Sequence, residues 1–174
     1  MESLIHGESL TVHLATTNSV DTRELAALAA QTFPLACPPA TAAEDIAAFV
    51  AANLSAARFA EYLADPARAI LTARRDTRII GYAMLIREDD TAELSKMYVV
   101  PDHHGAGVST ALMECALDTA GQWGVRRLWL GVNRHNQRAQ RFYAKSGFTV
   151  SGTRTFRVGE RLEHDYVMSR ELRR

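Results

Sequence analysis

The stretch from Val99 to Leu117, VVPDHHGAGVSTALMECAL, changes from a strand pattern to a helix pattern within a few residues. Its first residues end an apolar strand at Pro101, two glycines follow, and apolar residues then recur three and four positions apart. A strand that turns through glycines directly into a helix is the first half of a β-α-β unit. The stretch therefore predicts a sheet that contains a parallel pair of strands and is covered by helices.

The segments on either side carry further strand and helix patterns. Residues 10–15 alternate as a strand does, and an alanine-rich region then predicts three helices, the first of which ends at about Phe33. Three strand patterns follow, the first two joined by a hairpin at Asp76-Thr77. The glycine loop and its helix come next, then an apolar strand, a helix from Asn136 and a closing antiparallel pair. The order β-α-α-α-β-β-β-α-β-α-β-β predicts an α/β fold in which one mixed sheet has helices on both faces.

Length and composition fit one globular domain. The chain has 174 residues, 47% of them apolar, and we expect an N-terminal extension at 1–9 and one domain at 10–172. Twenty basic residues balance twenty acidic ones, so no nucleic-acid partner is expected. The sequence has no run of about 18 apolar residues and thus predicts no membrane span. Two distant cysteines, Cys37 and Cys115, and an N-terminus without a signal-peptide pattern favour a cytoplasmic protein.

The two glycines of the loop, Gly105 and Gly107, favour an anion-binding turn. The first N–H groups of the following helix have no partner within it, and the helix dipole favours negative charge there. Glycine has no Cβ, so a phosphate or pyrophosphate can approach the backbone closely. Thr110 stands where a dinucleotide fingerprint needs its third glycine, and no Gly-Lys-Ser/Thr is present, which excludes two nucleotide-binding patterns. The alternative is a glycine turn that only joins strand to helix.

A second stretch, NRHNQRAQRFYAKSGF at 133–148, has the pattern of a helix with one packed face. Asn136 and Tyr143 lie on that face, and Gly147-Phe148 then turns the chain into the next strand. A tyrosine on such a face is a candidate functional group. The alternative is a core tyrosine whose hydroxyl has a hydrogen-bond partner.

The two stretches together resemble the GNAT-type N-acetyltransferases, which use acetyl-CoA. The loop of that family reads V-x-P-x-x-(R/Q)-G-x-G-x-(G/A), and residues 99–109 follow it except that His104 replaces Arg or Gln and Ser109 replaces Gly or Ala. The later helix reads N-x-x-A-x-x-F-Y-x-x-x-G-F, and residues 136–148 match every specified position. The resemblance spans about residues 10–172. It implies a single domain with a mixed sheet of six to seven strands, in which strands 4 and 5 are splayed.

The resemblance also implies which residues hold acetyl-CoA. The strand before the loop would pair with the pantetheine arm at Met97 and Val99, and main-chain N–H groups between residues 104 and 110 would hold the pyrophosphate. Arg138 or Lys145 would reach a phosphate from outside, the alternative being a solvated helix face. No cluster of side chains predicts a metal site. The implied cofactor-binding residues are Met97, Val99, His104, Gly105, Ala106, Gly107, Ser109, Thr110, Asn136 and Tyr143.

The family's reaction is direct attack of a neutral amine on the thioester in a ternary complex. Tyr143 matches the general acid, although a tyrosine pKa of about 10 and a thiol pKa of about 8.5 make full proton transfer uphill by roughly 2 kcal/mol. Glu93 stands where many of these enzymes place a base. With a carboxyl pKa of about 4.3, it needs burial or an intervening water to take a proton from an alkylamine of pKa about 10.4. The alternative for Glu93 is an ion pair with Lys96 or an arginine.

The C-terminal stretch GTRTFRVGERLEHDYVMSREL is similar to the end of bacterial polyamine (spermidine) N-acetyltransferases. This similarity favours a small amine or a polyamine as acceptor, and carboxylates of the predicted acceptor region, such as Glu61, Asp90, Glu163 and Asp165, would suit a cation. A peptide N-terminus is the alternative acceptor. An acetyl-CoA-binding regulatory module without useful catalysis is the alternative function. Exposed edge strands would allow a homodimer.

Overall fold

One sheet of seven strands organises the computed structural model, which describes residues 9–105 and 107–172 apart from the side chains of Phe156 and Val158. The spatial order is β1-β2-β3-β4-β5-β7-β6, and every neighbouring pair is antiparallel except β4 and β5, which are parallel. The strands are β1 Leu10–Leu14, β2 Arg68–Arg75, β3 Arg78–Glu88, β4 Thr91–Val99, β5 Arg127–Asn133, β6 Thr149–Val158 and β7 Arg161–Glu171.

Five α-helices connect these strands, and three of them begin at a side-chain cap. Asp21, Ser55 and Asn136 each accept a hydrogen bond from a backbone N–H of the first helical turn, at 2.8, 3.1 and 3.1 Å. A short 3-10 turn, Pro101–His103, lies between β4 and the fourth helix. The helices are α1 Thr22–Ala36, α2 Ala43–Asn53, α3 Ala56–Ala64, α4 Val108–Trp123 and α5 Gln137–Lys145.

The first helix is longer than the sequence predicts. We expected α1 to end at about Phe33, but it continues through Pro34 to Ala36. Proline lacks only its own N–H, so in the last helical turn it removes one hydrogen bond without preventing the next residues from staying helical. The helix ends at Cys37, whose N–H donates to the carbonyl of Pro34 at 3.3 Å. The extra turn places residues 34–36 beside the candidate site.

Alternate residues of the central strands enter two hydrophobic cores. On β2, Ile70 belongs to the core covered by α1, α2 and α3, whereas Leu71 belongs to the core covered by α4 and α5. Phe59 of α3 and Leu112 of α4 are fully buried in these two cores. The prediction of helices on both faces of a mixed sheet is therefore confirmed. In the described part of the chain, no helix has both the length and the hydropathy needed to cross a bilayer.

The parallel ladder between β4 and β5 is short. It joins Thr91 to Arg127, Ala92 to Leu128 and Glu93 to Trp129, and no pairing continues beyond these positions in the described residues. Both strands run on past this point, β4 as far as Val99. They therefore diverge, which confirms the expectation that strands 4 and 5 are splayed, and Glu93 lies where the gap begins.

Candidate active site

The edge of β4 that faces the gap presents backbone groups that take part in no strand ladder at two predicted positions. The N–H of Val100 donates to the carbonyl of Ile80 at 2.9 Å, so Val100 directs its backbone groups toward β3. Because hydrogen-bonding direction alternates along an antiparallel ladder, Val99 and Met97 direct theirs to the opposite side. The β4–β5 ladder ends at Glu93, so these groups face the gap. A ligand could pair with β4 there as an added strand.

A β-bulge separates this part of β4 from the vertex of the gap. Lys96 lies opposite Met84 and Leu94 opposite Leu85, which leaves Ser95 as an extra residue on β4. The bulge turns the strand locally. As a result, the side chains of Glu93 and Lys96 lie on the same face of the sheet although they are three residues apart.

The glycine loop has the backbone conformation that its sequence predicts. Gly105 and Gly107 have φ angles of +79° and +81°, a region that other residues avoid. A Cβ at either glycine would meet no atom within 4 Å, so the surface above both is open. Gly107 is also the N-cap of the 16-residue helix α4. An open turn of this kind at a helix N-terminus fits a phosphate group.

The imidazole of His104 forms a hydrogen bond with one of the backbone groups at the gap. Its Nε2 lies 2.9 Å from the carbonyl oxygen of Val99. Since a carbonyl oxygen only accepts hydrogen bonds, Nε2 carries the proton in this contact. One of the two residues that depart from the family pattern thus lies against one of the two β4 positions that we expect to bind the cofactor.

Helix α5 contributes Asn136 and Tyr143 to the far side of the gap. The Oδ1 atom of Asn136 caps the helix, so its Nδ2 group remains as the donor that can be offered to a ligand. The ring of Tyr143 packs edge-on against Phe142 and Phe148, with centroids 5.5 and 6.1 Å away. Burial raises the pKa of Tyr143 to about 12, so its hydroxyl is protonated at neutral pH.

One cleft of about 620 Å³ brings the predicted cofactor residues together. Ala106 lies outside the described residues, and Glu93 lies at the vertex of the gap, not among the lining residues. Of the two phosphate candidates, Arg138 lines the cleft and Lys145 does not. The predicted residues that line it are Met97, Val99, His104, Gly105, Gly107, Ser109, Thr110, Asn136 and Tyr143.

Sequence reasoning missed the wall of the cleft formed by α1 and Tyr98. Thr32, Leu35 and Ala36 line the cleft from the last turns of α1, and Leu35 is 65% exposed. Burial raises the pKa of Tyr98 well above its usual value, and the nearby Tyr143 phenol adds to that shift. In the sequence, the pair Pro34-Leu35 was a signal for the α1 wall. The pattern of apolar residues in β4 did not indicate that Tyr98 would line the cleft.

A polar cluster occupies the sheet face at the vertex of the gap. Nη1 of Arg154 lies 3.5 Å from Oε2 of Glu93, and its Nε lies 3.4 Å from Oδ2 of Asp165. The ion pair with an arginine, considered for Glu93 from sequence, is therefore present. Among the other acids expected near the acceptor, Glu163 is also buried here, whereas Asp90 pairs with Arg126 at an exposed site.

Comparison with known proteins identifies the family. The model of the acetyltransferase (GNAT) family matches residues 29–148, well over half of the chain. An uncharacterized N-acetyltransferase of Mycobacterium tuberculosis is 68% identical over 153 residues, which cover 87% of this chain and 98% of the relative. Another uncharacterized N-acetyltransferase, from Lactobacillus delbrueckii subsp. lactis, is 24% identical over 92% of this chain and 98% of its own length.

Solved structures share the fold. The PaiA N-acetyltransferase of Thermoplasma acidophilum, solved in complex with coenzyme A, superposes with a TM-score of 0.81 at 21% identity, covering 94% of this chain and 99% of that one. The ribosomal-protein-S18-alanine N-acetyltransferase of Escherichia coli superposes with a TM-score of 0.74 at 20% identity, covering 95% and 96%. The family-model match over residues 29–148 and the relative that is 68% identical place the chain in the acetyltransferase (GNAT) family, as an N-acetyltransferase, and the shared fold, the open glycine turn and the splayed strands agree with this assignment.

Proposed function

We propose that this N-acetyltransferase moves the acetyl group of acetyl-CoA to a primary amine by direct attack in a ternary complex. The observation that carries the proposal is the cleft itself. It joins three features that the reaction needs: an open glycine turn, backbone groups of β4 that face a gap, and the phenol of Tyr143.

The residues of the cleft fit acetyl-CoA along its length. The N–H groups at the start of α4, next to Gly105 and Gly107, would hold the pyrophosphate, and Arg138 would add a cation outside it. The backbone of Met97 and Val99 would pair with the amides of the pantetheine arm. When bound, acetyl-CoA supplies an acetyl group that is activated as a thioester.

Two groups would stabilise the charges that develop during transfer. A backbone N–H of β4, at Met97 or Val99, can donate to the carbonyl oxygen as it becomes negative. Tyr143 can donate to the leaving sulfur. With a Tyr143 pKa of about 12 and a thiol pKa of about 8.5, complete transfer of its proton would be uphill by about 5 kcal/mol. We infer that Tyr143 acts mainly as a hydrogen-bond donor to the thiolate.

The acceptor must reach the cleft as a neutral amine. Glu93 remains our candidate for receiving its proton, but its carboxylate already contacts Arg154, and a carboxyl group of ordinary pKa, about 4.3, is a poor direct base for an alkylamine of pKa about 10.4. Proton removal therefore runs through water near Glu93, or takes place before the amine binds. In either case the fraction of neutral amine controls the rate at neutral pH.

The charges beside the cleft bear on the choice of acceptor. Arg154 contacts both Glu93 and Asp165, and Nε of Arg161 lies 3.5 Å from Oε2 of Glu163. In these ion pairs of the described residues, two guanidinium groups face three carboxylates, which leaves an excess of one negative charge, enough for one ammonium group but not for a polycation. We infer that a small amine with one ammonium group suits the site better than the polyamine suggested by the C-terminal stretch.

The experiment is a measurement of thiol release from acetyl-CoA with a panel of acceptors and with Tyr143→Phe as control. The panel contains a small monoamine, spermidine and a peptide with a free N-terminus. We expect amine-dependent release that is fastest with the monoamine and is strongly reduced in the variant. Preference for spermidine or the peptide would overturn the acceptor assignment alone. Binding of acetyl-CoA without amine-dependent release would favour a regulatory module and overturn the enzyme proposal.

A further inference from the structure

We propose that Arg154 is a positioning residue that holds the Glu93 carboxylate at the point where β4 and β5 separate. The role rests on the proposed function, because it assigns a task within the same cleft. Arg154 reaches across the sheet from β6 and contacts groups on three other strands. Its guanidinium lies 3.5 Å from Glu93 on β4 and 3.4 Å from Asp165 on β7, and its Cζ lies 5.6 Å from the ring centroid of Trp129 on β5.

Gly131 supplies the space that this guanidinium occupies. A Cβ at Gly131 would lie 2.6 Å from Cζ of Arg154 and closer still to Nη2. Gly131 lies in the middle of β5 and does not have a positive φ, so its backbone does not require glycine. Because Gly131 has no side chain, the guanidinium of Arg154 can lie directly above β5. The position of Arg154 therefore depends on glycine at residue 131.

Arg154 bridges the two halves of the sheet. Glu93 belongs to the antiparallel half that ends at β4, and Asp165 belongs to the half built from β5, β7 and β6. The β4–β5 ladder ends at the pair of Glu93 and Trp129. The ion pair between Glu93 and Arg154 adds a side-chain connection between the two halves at this end of the ladder. A change in the position of Arg154 would thus alter where Glu93 lies relative to the gap.

Other charged groups face the same cluster. Lys96 lies on the same face of β4; burial lowers its pKa, and the Glu93 carboxylate opposes that shift. Burial raises the pKa of Asp165, and the guanidinium of Arg154 opposes that shift. Without Arg154, two carboxylates would share a partly buried site. The remaining charged neighbours are Arg68 on β2, and Glu163 and His164 on β7.

The sign of the resulting pH effect follows from these contacts. Burial already raises the pKa of Asp165 in the folded protein, and the Arg154 guanidinium opposes that shift, so removal of the guanidinium raises the pKa of Asp165 further. A carboxyl group whose pKa is raised by folding opposes folding once the pH exceeds its unfolded value. A variant without the guanidinium is therefore destabilised relative to wild type more at pH 7 than at pH 4.

The test compares Arg154→Met with Gly131→Ala, which displaces the guanidinium without removing its charge. Arg154→Lys is the conservative variant, and Arg157→Met is the matched control, because Arg157 is exposed on the same strand. For each protein, kcat/KM for a monoamine is measured from pH 5.5 to pH 8. Carbon-13 NMR of labelled carboxyl groups then follows the titration of Glu93 and Asp165 in the folded protein, independently of turnover.

We expect Arg154→Met and Gly131→Ala to lose roughly tenfold in kcat/KM relative to wild type across this pH range, because a displaced Glu93 carboxylate no longer stands at the gap where the amine loses its proton. Arg154→Lys should recover part of the loss and Arg157→Met should behave as wild type. An unchanged pH profile and unchanged carboxyl titrations in folded Arg154→Met or Gly131→Ala would overturn the proposal. If wild type shows no amine-dependent turnover, the proposed function fails. The NMR titration then still decides whether Arg154 controls the two carboxylates.

Discussion

The imidazole Nε2 of His104 donates a hydrogen bond to the carbonyl oxygen of Val99 across 2.9 Å. Val99 is one of two β4 residues whose backbone groups face the gap, so the free protein already uses an acceptor that we expect the pantetheine arm to use. The loop residue and the cofactor therefore compete for the same carbonyl. This competition can be tested by measuring the affinity for coenzyme A, which does not depend on catalysis.

Replacement of His104 by alanine should increase the affinity for coenzyme A at pH 8. Loss of the competing hydrogen bond is worth about 1 kcal/mol, which corresponds to roughly fivefold tighter binding by calorimetry. His103→Ala is the matched control, because His103 is the neighbouring histidine and contacts Arg78 instead of Val99. Weaker binding by His104→Ala would show that the imidazole assists the cofactor rather than competing with it.

Tyr143→Phe should reduce kcat by roughly 10²–10⁴ and leave coenzyme A affinity nearly unchanged. In the proposed mechanism the phenol acts on the leaving sulfur, whereas the pyrophosphate and the pantetheine arm would bind to backbone groups elsewhere in the cleft. Single-turnover kinetics and calorimetry measure the two effects separately. Tyr98→Phe serves as the comparison, since Tyr98 lines the same cleft from β4. Equal losses in both variants would contradict a specific role for Tyr143.

The rate should rise with pH from neutral to strongly alkaline conditions. An alkylamine with a pKa of about 10.4 is mostly protonated at pH 7, so log kcat/KM should increase with a slope of about one. Tyr143 remains protonated throughout, because burial raises its pKa to about 12. No descending limb is therefore expected below about pH 10. A decline that begins near pH 9 would indicate that a group with a lower pKa donates the proton.

Gly107→Ala should destabilise the protein and weaken coenzyme A binding. Gly107 has a φ of +81°, and a residue with a Cβ in that conformation costs about 1–2 kcal/mol. The new methyl group would also stand on the open surface that we expect the pyrophosphate to contact. Thermal unfolding and calorimetry measure the two effects.

Gly121→Ala is the control for this substitution. Gly121 lies inside α4, has no positive φ and would meet no atom within 4 Å through an added Cβ. Alanine in a helix interior is better than glycine by about 0.5–1 kcal/mol, so this variant should be as stable as wild type or more stable. A Gly107→Ala protein that matches Gly121→Ala in stability and in binding would contradict the assigned role of the loop.

The sequence predicted most of the fold and the cofactor side of the cleft, because those features are local. The loop after β4 and the helix that carries Tyr143 are each read from about a dozen consecutive residues. The acceptor side could not be predicted in the same way. Arg154 meets Glu93 only after β6, β7 and β5 have assembled in register, and a pairing of residues 61 positions apart leaves no local pattern.

The end of α1 illustrates a second limit. Pro34 is a helix-breaking signal in sequence, but its position in the last turn made the signal misleading. Leu35 and Ala36, which lie beyond the predicted end of the helix at about Phe33, then supply part of the cleft wall. Tyr98 was missed for a different reason, since one aromatic residue in an apolar strand gives no indication of which groups will surround it.

The three-pair ladder between β4 and β5 has a thermodynamic consequence for the protein without its ligand. In the described residues, β4 beyond Glu93 is paired with β3 on one side, while on the other side the His104 contact to the Val99 carbonyl replaces a strand partner, so local opening there requires less free energy than in a strand paired on both sides. A ligand that hydrogen-bonds to this edge acts as an added strand beside β4. Amide hydrogens of residues 97 and 99 should consequently change from rapid to slow exchange with solvent deuterium when coenzyme A is added, and the melting temperature should rise with its concentration.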